Sequence, residues 1–206
     1  MALWSDLYPE LLIAAPGAAD PLLDRSLAKA AQEFYRRTRI WRQWLTPITI
    51  LAATRSYTLT LPTGANVVRL EQAKRNDSEF PILSQRGIDV DLGSKQWREH
   101  GLVSNDRRTI TLARELPADD VLYIEASLMP DLDTATGISD DDLDQYGRDI
   151  AEGAKHLLLS QNKAPWADPA GAMEARAKFE IAIGCKAWDS YRGMTNGVPR
   201  ARPKWC

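Results

Sequence analysis

Few residues in this chain are of types and spacings that could do chemistry. His100 and His156 are the only histidines, and neither stands at a metal-ligand spacing from a cysteine or from the other. His156 falls in a helical segment on or near an apolar stripe, where an imidazole ordinarily packs or sits at a rim. No glycine-rich phosphate loop and no Gly-x-Ser-x-Gly elbow occurs. The run Asp140-Asp141-Asp142 offers oxygen ligands for a hard cation. It lacks the alternating ligands, central glycine and distal glutamate of a calcium loop. The sequence therefore predicts no catalytic residue, no cofactor site and no metal site.

Nucleic-acid binding has one local argument. Arg36, Arg37, Arg39 and Arg42 cluster with Tyr35, Trp41 and Trp44, and cations interleaved with aromatics can hold a strand. Against it, the formal net charge is −2, whereas a phosphate-gripping protein carries a basic excess. The arginines also suit the exposed face and the C-terminal end of an amphipathic helix.

These residues hang on a helix–strand–helix order. Asp20-Pro21 starts a helix, with Asp as cap and Pro at the first position. Leu23, Leu27, Ala30, Phe34, Thr38 and Trp41 then share one face, and Trp44 to Pro47 ends it. A shorter apolar helix precedes it around Leu7 to Ala14. The middle reads as strands: Ile48 to Ile50, Tyr57 to Leu61, Val67 to Gln72, Phe80 to Leu83, Thr109 to Ala113 and Val121 to Leu128. Between Ser84 and Gly101 the pattern is mixed and has room for a short helix.

Six aspartates and no basic residue lie between Asp131 and Asp144, a solvated stretch that runs into a helix start. Ser139 with Asp142 resembles a capping box. The helix that follows puts Leu143, Tyr146, Ile150, Ala154, Leu157 and Leu158 on one face. Asp168-Pro169 opens the last helix, whose stripe is Met173, Ala177, Ile181, Gly184, Trp188 and Tyr191, with Phe179 and Ile183 off it. A helix apolar on more than one side is central in a bundle or shared with a partner. After Gly193 the periodicity stops. The end carries Pro199 and Pro203, Arg200, Arg202 and Lys204, and a terminal Trp205-Cys206, the composition of an extended arm that docks on another protein.

The expected fold class is α+β: a helical bundle from residues 1–45 and 139–193, a small antiparallel β region inserted at 46–138, and an extended C-terminal arm at 194–206. No apolar run approaches the roughly 20 residues that cross a bilayer, and the N-terminus lacks the regions of a secretory signal. With two cysteines, Cys185 and Cys206, a reducing cytoplasm is the simpler setting.

Two stretches carry a family likeness. The first is Pro16-Gly17-Ala18, then Leu22 to Trp41 with Ala31, Glu33, Phe34, Thr38 and Trp41, followed by Pro47, Ile48 and Ile50 and by Tyr57, Leu59, Leu61 and Pro62. The second is Ile150, Ala151, Gly153, Ala154 and Leu157, then Pro165, Trp166, Asp168, Pro169 and Phe179, with Trp97, Gly101 and Leu116-Pro117 between the two. In order and spacing this layout resembles the head-to-tail adaptor (connector) proteins of tailed bacteriophages, including tail tubular protein A and the head–tail connectors.

The resemblance implies a non-enzymatic virion protein of the neck or tail, assembled in the host cytoplasm. It implies a twelve-fold ring beneath the portal protein, with double-stranded DNA passing through the lumen without sequence-specific binding. A downstream tail, nozzle or tail-completion protein would be the second partner. By position, Arg200, Arg202, Lys204 and Trp205 would dock the portal, and Phe179, Ile183 and Trp188 would make ring contacts. Other readings are a different neck or tail-completion protein, a phage-encoded hydrolase, or a factor that binds DNA ends.

Overall fold

Residues 2–83 and 101–192 are described by the computed structural model. The short helix expected between Ser84 and Gly101, with Trp97 and His100, lies outside the described residues, as do Arg200, Arg202, Lys204, Trp205 and Cys206. The chain divides into two compact units, Met1–Ile40 with Gly137–Cys206, and Trp41–Thr136.

The first unit is helical. A one-turn 3-10 helix at Trp4–Leu7 leads into α1, Tyr8–Leu12. The helices α2 (Asp20–Thr38), α3 (Asp140–Leu159) and α4 (Pro169–Arg192) pack on one another. Their shared core holds Leu23, Leu27 and Phe34 of α2, Ile150, Ala154 and Leu158 of α3, and Phe179 and Ile183 of α4. The Phe34 ring centroid lies 5.5 Å from that of Tyr146 and 6.3 Å from that of Phe179. Gly153 permits the close crossing: a Cβ there would meet the Phe179 ring at 2.8 Å and Ala30 Cβ at 3.0 Å. Ser139 caps α3, its Oγ accepting from the Asp142 N–H at 3.1 Å. The strand β1 (Ala2–Leu3) pairs antiparallel with β10 (Gly137–Ile138), so the start of the chain lies against the segment that re-enters this unit.

Helix α2 stops six residues before the expected Trp44. Thr38 turns its Oγ1 back to the Phe34 carbonyl, and Arg39 takes the left-handed conformation at φ 51°, which ends the helical backbone. Trp41 keeps the helical spacing in sequence but packs against the core of the other unit, and Arg42–Trp44 is a strand, β2.

The regular elements of the second unit among the described residues are strands: β2, β3 (Ile48–Thr49), β4 (Ser56–Thr58), β5 (Ala65–Arg75), β6 (Ser78–Glu79), β7 (Leu102–Val103), β8 (Thr109–Leu112) and β9 (Val121–Pro130). β2, β9, β5 and β6 lie in that order in one antiparallel sheet, with β3 also on β9, and β4, β8 and β7 form a second ladder. This corrects the expected fold class. The molecule is a mixed α/β protein with, among the described residues, four α-helices and a large curled antiparallel sheet, a half-barrel, rather than a bundle with a small β insertion.

The curl has a local cause. The pairing of β5 with β9 shifts register between Val67 and Arg69 and again between Leu70 and Gln72. Val68 and Glu71 are the extra residues, and each such bulge bends and twists the strand. Val67, Leu70 and Ala73 therefore all face the core although they stand three apart. The core beneath includes Ile50, Leu102, Ile110, Leu112, Leu122 and Ile124.

Candidate interaction surface

The surface is built on α4. Asp168 opens the helix: its Oδ1 accepts from the Ala170 N–H at 3.1 Å and its carbonyl from the Ala172 N–H at 2.9 Å, with Pro169 at the first position. His156 of α3 ties the two helices together, its Nδ1 donating to the Ala172 carbonyl at 3.1 Å. Since a carbonyl only accepts, the proton sits on Nδ1. The imidazole is thus a fastener between helices.

A second fastener joins α2 to α4. Arg176 bonds Glu33 at 2.9 Å, Arg37 bonds Glu180 at 2.6 Å and Glu33 at 3.2 Å, and Arg176 also reaches Glu180. Burial pushes the Glu33 carboxyl up, but the bonds from Arg176 and Arg37 outweigh it and hold it below its ordinary range. Hydrogen bonding from Arg37, against a smaller opposing effect of burial, does the same for Glu180.

With its inner face committed in this way, α4 turns a second apolar stripe outward. Met173 is 75% exposed, Ile181 68%, Trp188 51% and Tyr191 71%. Ala177, Gly184 and Cys185 are exposed among them. The Trp188 and Tyr191 rings stack, with centroids 6.0 Å apart and planes at 22°. A Cβ added at Gly184 would meet nothing within 4 Å, so the stripe has a notch between Ile181 and Trp188.

The expected ring-contact set is corrected by this geometry. Phe179 is 1% exposed and Ile183 4% exposed, so both are spent inside the helical unit. Trp188 alone of the three faces outward. Phe179 and Ile183 lay off the stripe in sequence because they belong to the face that α4 gives to α2 and α3.

The arginine–aromatic cluster is divided. Tyr35, Arg36, Arg37 and Arg39 belong to the helical unit, with Tyr35 buried and Arg37 held in its carboxylate network. Trp41, Arg42 and Trp44 belong to the β unit, where the Lys74 ammonium lies 5.0 Å from the centroid of the Trp44 ring. The sequence reading missed that pair. Cross-strand register supplies it, because Trp44 and Lys74 lie on strands that both pair with β9.

Two grooves remain. One of about 540 Å³ in the β unit is lined by part of β5 together with Phe80, Ile82, Ser104 and Arg107. The other, of about 670 Å³ in the helical unit, is lined by Glu10, Ile13, Asp149, Lys155, Glu174 and Lys178, among others. Its lysines are paired, Lys155 with Glu152 at 2.6 Å and Lys178 with Glu174 at 2.7 Å. Burial, opposed by Lys186 and reinforced by Glu152, raises the carboxyl of Asp149 above its ordinary range. Among the described residues no group of three or more His, Cys, Asp or Glu side chains comes together as a metal site. Asp140, Asp141 and Asp142 occupy the first turn of α3, where carboxylates suit the helix dipole. Among the described residues no helix is long and apolar enough to cross a membrane.

The chain matches no protein-family model, and no curated protein matches its sequence.

Proposed function

We propose that the chain is a structural subunit of a tailed-bacteriophage neck, an adaptor between portal and tail that works by its surfaces and catalyses nothing. The observation that carries this reading is the outward stripe of α4. Met173, Ile181, Trp188 and Tyr191 are exposed along one side of a helix whose inner face is already packed, and contiguous apolar surface of this kind marks a protein contact. In the adaptor reading the stripe faces the next subunit of a twelve-fold ring, with Trp188 retained from the residues first expected there. Double-stranded DNA passes through the lumen without sequence-specific contacts, which agrees with a formal net charge of −2. Arg200, Arg202, Lys204 and Trp205 dock the portal, a downstream nozzle or tail-completion protein binds the far side, and the subunit resides in the virion after assembly in the host cytoplasm.

The deciding experiment mixes the purified chain with the portal of its phage and images the product by electron microscopy. A stoichiometric ring beneath the portal is expected, and the absence of any complex overturns the reading. A chain truncated after Gly193 tests the arm. Normal portal binding by that variant removes the docking role from Arg200, Arg202, Lys204 and Trp205.

A further inference from the structure

We propose that two copies of the free chain pair through the outer stripe of α4, antiparallel and about a two-fold axis, in a reversible dimer. The stripe specifies a helix as its occupant. Ala177, Ile181, Gly184, Trp188 and Tyr191 are spaced by four, three, four and three residues, the seam of two helices that cross at a shallow angle. All five are solvent-exposed.

The sizes along the seam then select a second copy of the same seam. In an antiparallel pair with its axis midway between Ala182 and Ile183, Ile181 lies opposite the Gly184 notch of the other copy. Trp188 lies opposite Ala177, and symmetry repeats both layers, so Ile181 and Trp188 each meet a small residue. Met173 and Tyr191 come together at the two ends of the contact. A parallel pair would instead set Trp188 on Trp188 and Gly184 on Gly184, with a clash in one layer and a void in the next.

The area bounds the contact. The seam from Met173 to Tyr191 is about 27 Å long at the usual helical rise. Four large side chains that expose on the order of 150 Å² each cap the area the pair can bury at roughly 1,200 Å², the lower limit for specific interfaces. A contact at that limit belongs with the weak, transient class, a dimer that comes apart on dilution.

The pairing stands apart from the adaptor reading. A two-fold contact closes on itself and builds no ring, so the dimer is a state of the free chain that must open before the same stripe can serve a ring.

Sedimentation equilibrium of the full chain across the micromolar range tests the proposal. A monomer–dimer equilibrium is expected. Gly184→Leu has open space in the single subunit and improves helix propensity, so the subunit keeps or gains stability while the dimer dissociation constant rises at least ~10-fold. The exchanged double variant Ile181→Gly with Gly184→Ile restores large against small and regains the dimer. A chain that stays monomeric, a dimer indifferent to Gly184→Leu, or no recovery in the exchanged variant overturns the pairing. A closed ring of more than two copies also overturns it, while leaving the adaptor reading in place.

Discussion

Gly153 and Phe179 touch so closely that a Cβ on the glycine would lie 2.8 Å from the phenyl ring, with Ala30 Cβ at 3.0 Å on the other side. This is the point where α2, α3 and α4 meet. Gly153→Ala therefore adds a methyl group that must push a fully buried ring, and overpacking of this kind costs about 1–3 kcal/mol. Phe179→Ala errs in the opposite direction and costs about 3–5 kcal/mol through the cavity it leaves. Urea denaturation of both variants checks the pair. An unaffected Gly153→Ala would mean that the crossing is looser than described.

The cap at Ser139 supports a stability experiment at the other end of α3. Its hydroxyl satisfies the Asp142 N–H, so Ser139→Ala is expected to lower stability by about 1 kcal/mol, whereas Ser139→Asp keeps the acceptor and nearly all of the stability. Thermal melts of the two variants separate loss of the cap from loss of the side chain's bulk.

Acid titration reads the network between α2 and α4. Glu33 and Glu180 have folded pKa values below their unfolded ones, so their contribution is present above the unfolded carboxylate value of about 4.3 and is lost as pH falls through the folded values. Both groups are partly exposed, and solvent and salt screen the effect. Glu180→Gln should flatten the fall of Tm on the acid side. An unchanged acid limb would show that these ion pairs add no pH-dependent stability.

Asp149 has the opposite sign. Burial raises its folded pKa, so its contribution is most favourable at low pH and is lost as pH rises through the folded value. Asp149→Asn is expected to raise Tm at neutral pH, with the gain shrinking toward acid. A gain that is equal at all pH values would assign the effect to something other than the charge.

The helix starts were legible because capping chemistry is local: Ser139 with Asp142 and Asp168-Pro169 each announced a terminus that the structure places there, whereas at Asp20-Pro21 the helix begins one residue early, with Ala19 in the cap position making no side-chain bond and Asp20 already helical. The end of α2 was not. An arginine in the left-handed conformation carries no glycine-like signal, and Trp41 keeps the helical period after the helix has stopped. β5 was only half legible, since its two bulges set Val67, Leu70 and Ala73 three apart and hide an 11-residue strand from a search for strict alternation. On α4 both apolar stripes were visible. Hydropathy alone does not say which one the chain keeps for itself, and the choice was settled by packing against α3 and against α2, which lies far away in sequence. The grooves and the Trp44–Lys74 contact depend on strand register, which no local window contains.

Deleting Val68 and Glu71 together tests the bulges. The remaining residues would alternate perfectly, with Val67, Leu70 and Ala73 inward and Arg69 and Gln72 outward. On propensity alone the strand should improve. Loss of the bend is nonetheless expected to lower Tm and to alter the near-ultraviolet signal of the β unit, because the sheet can no longer curl over Ile110 and Leu122.

The helical unit is discontinuous in the chain, and that sets an order on its birth. α2 leaves the ribosome with Leu23, Leu27 and Phe34 uncovered, while α3 begins only at Asp140, after the whole β unit has been translated. At ordinary elongation rates that interval of about 100 residues lasts roughly 5–20 s. A nascent chain must therefore carry a greasy helix through the folding of an entire neighbouring unit. Holdase chaperones have their best opportunity to engage this protein during that wait.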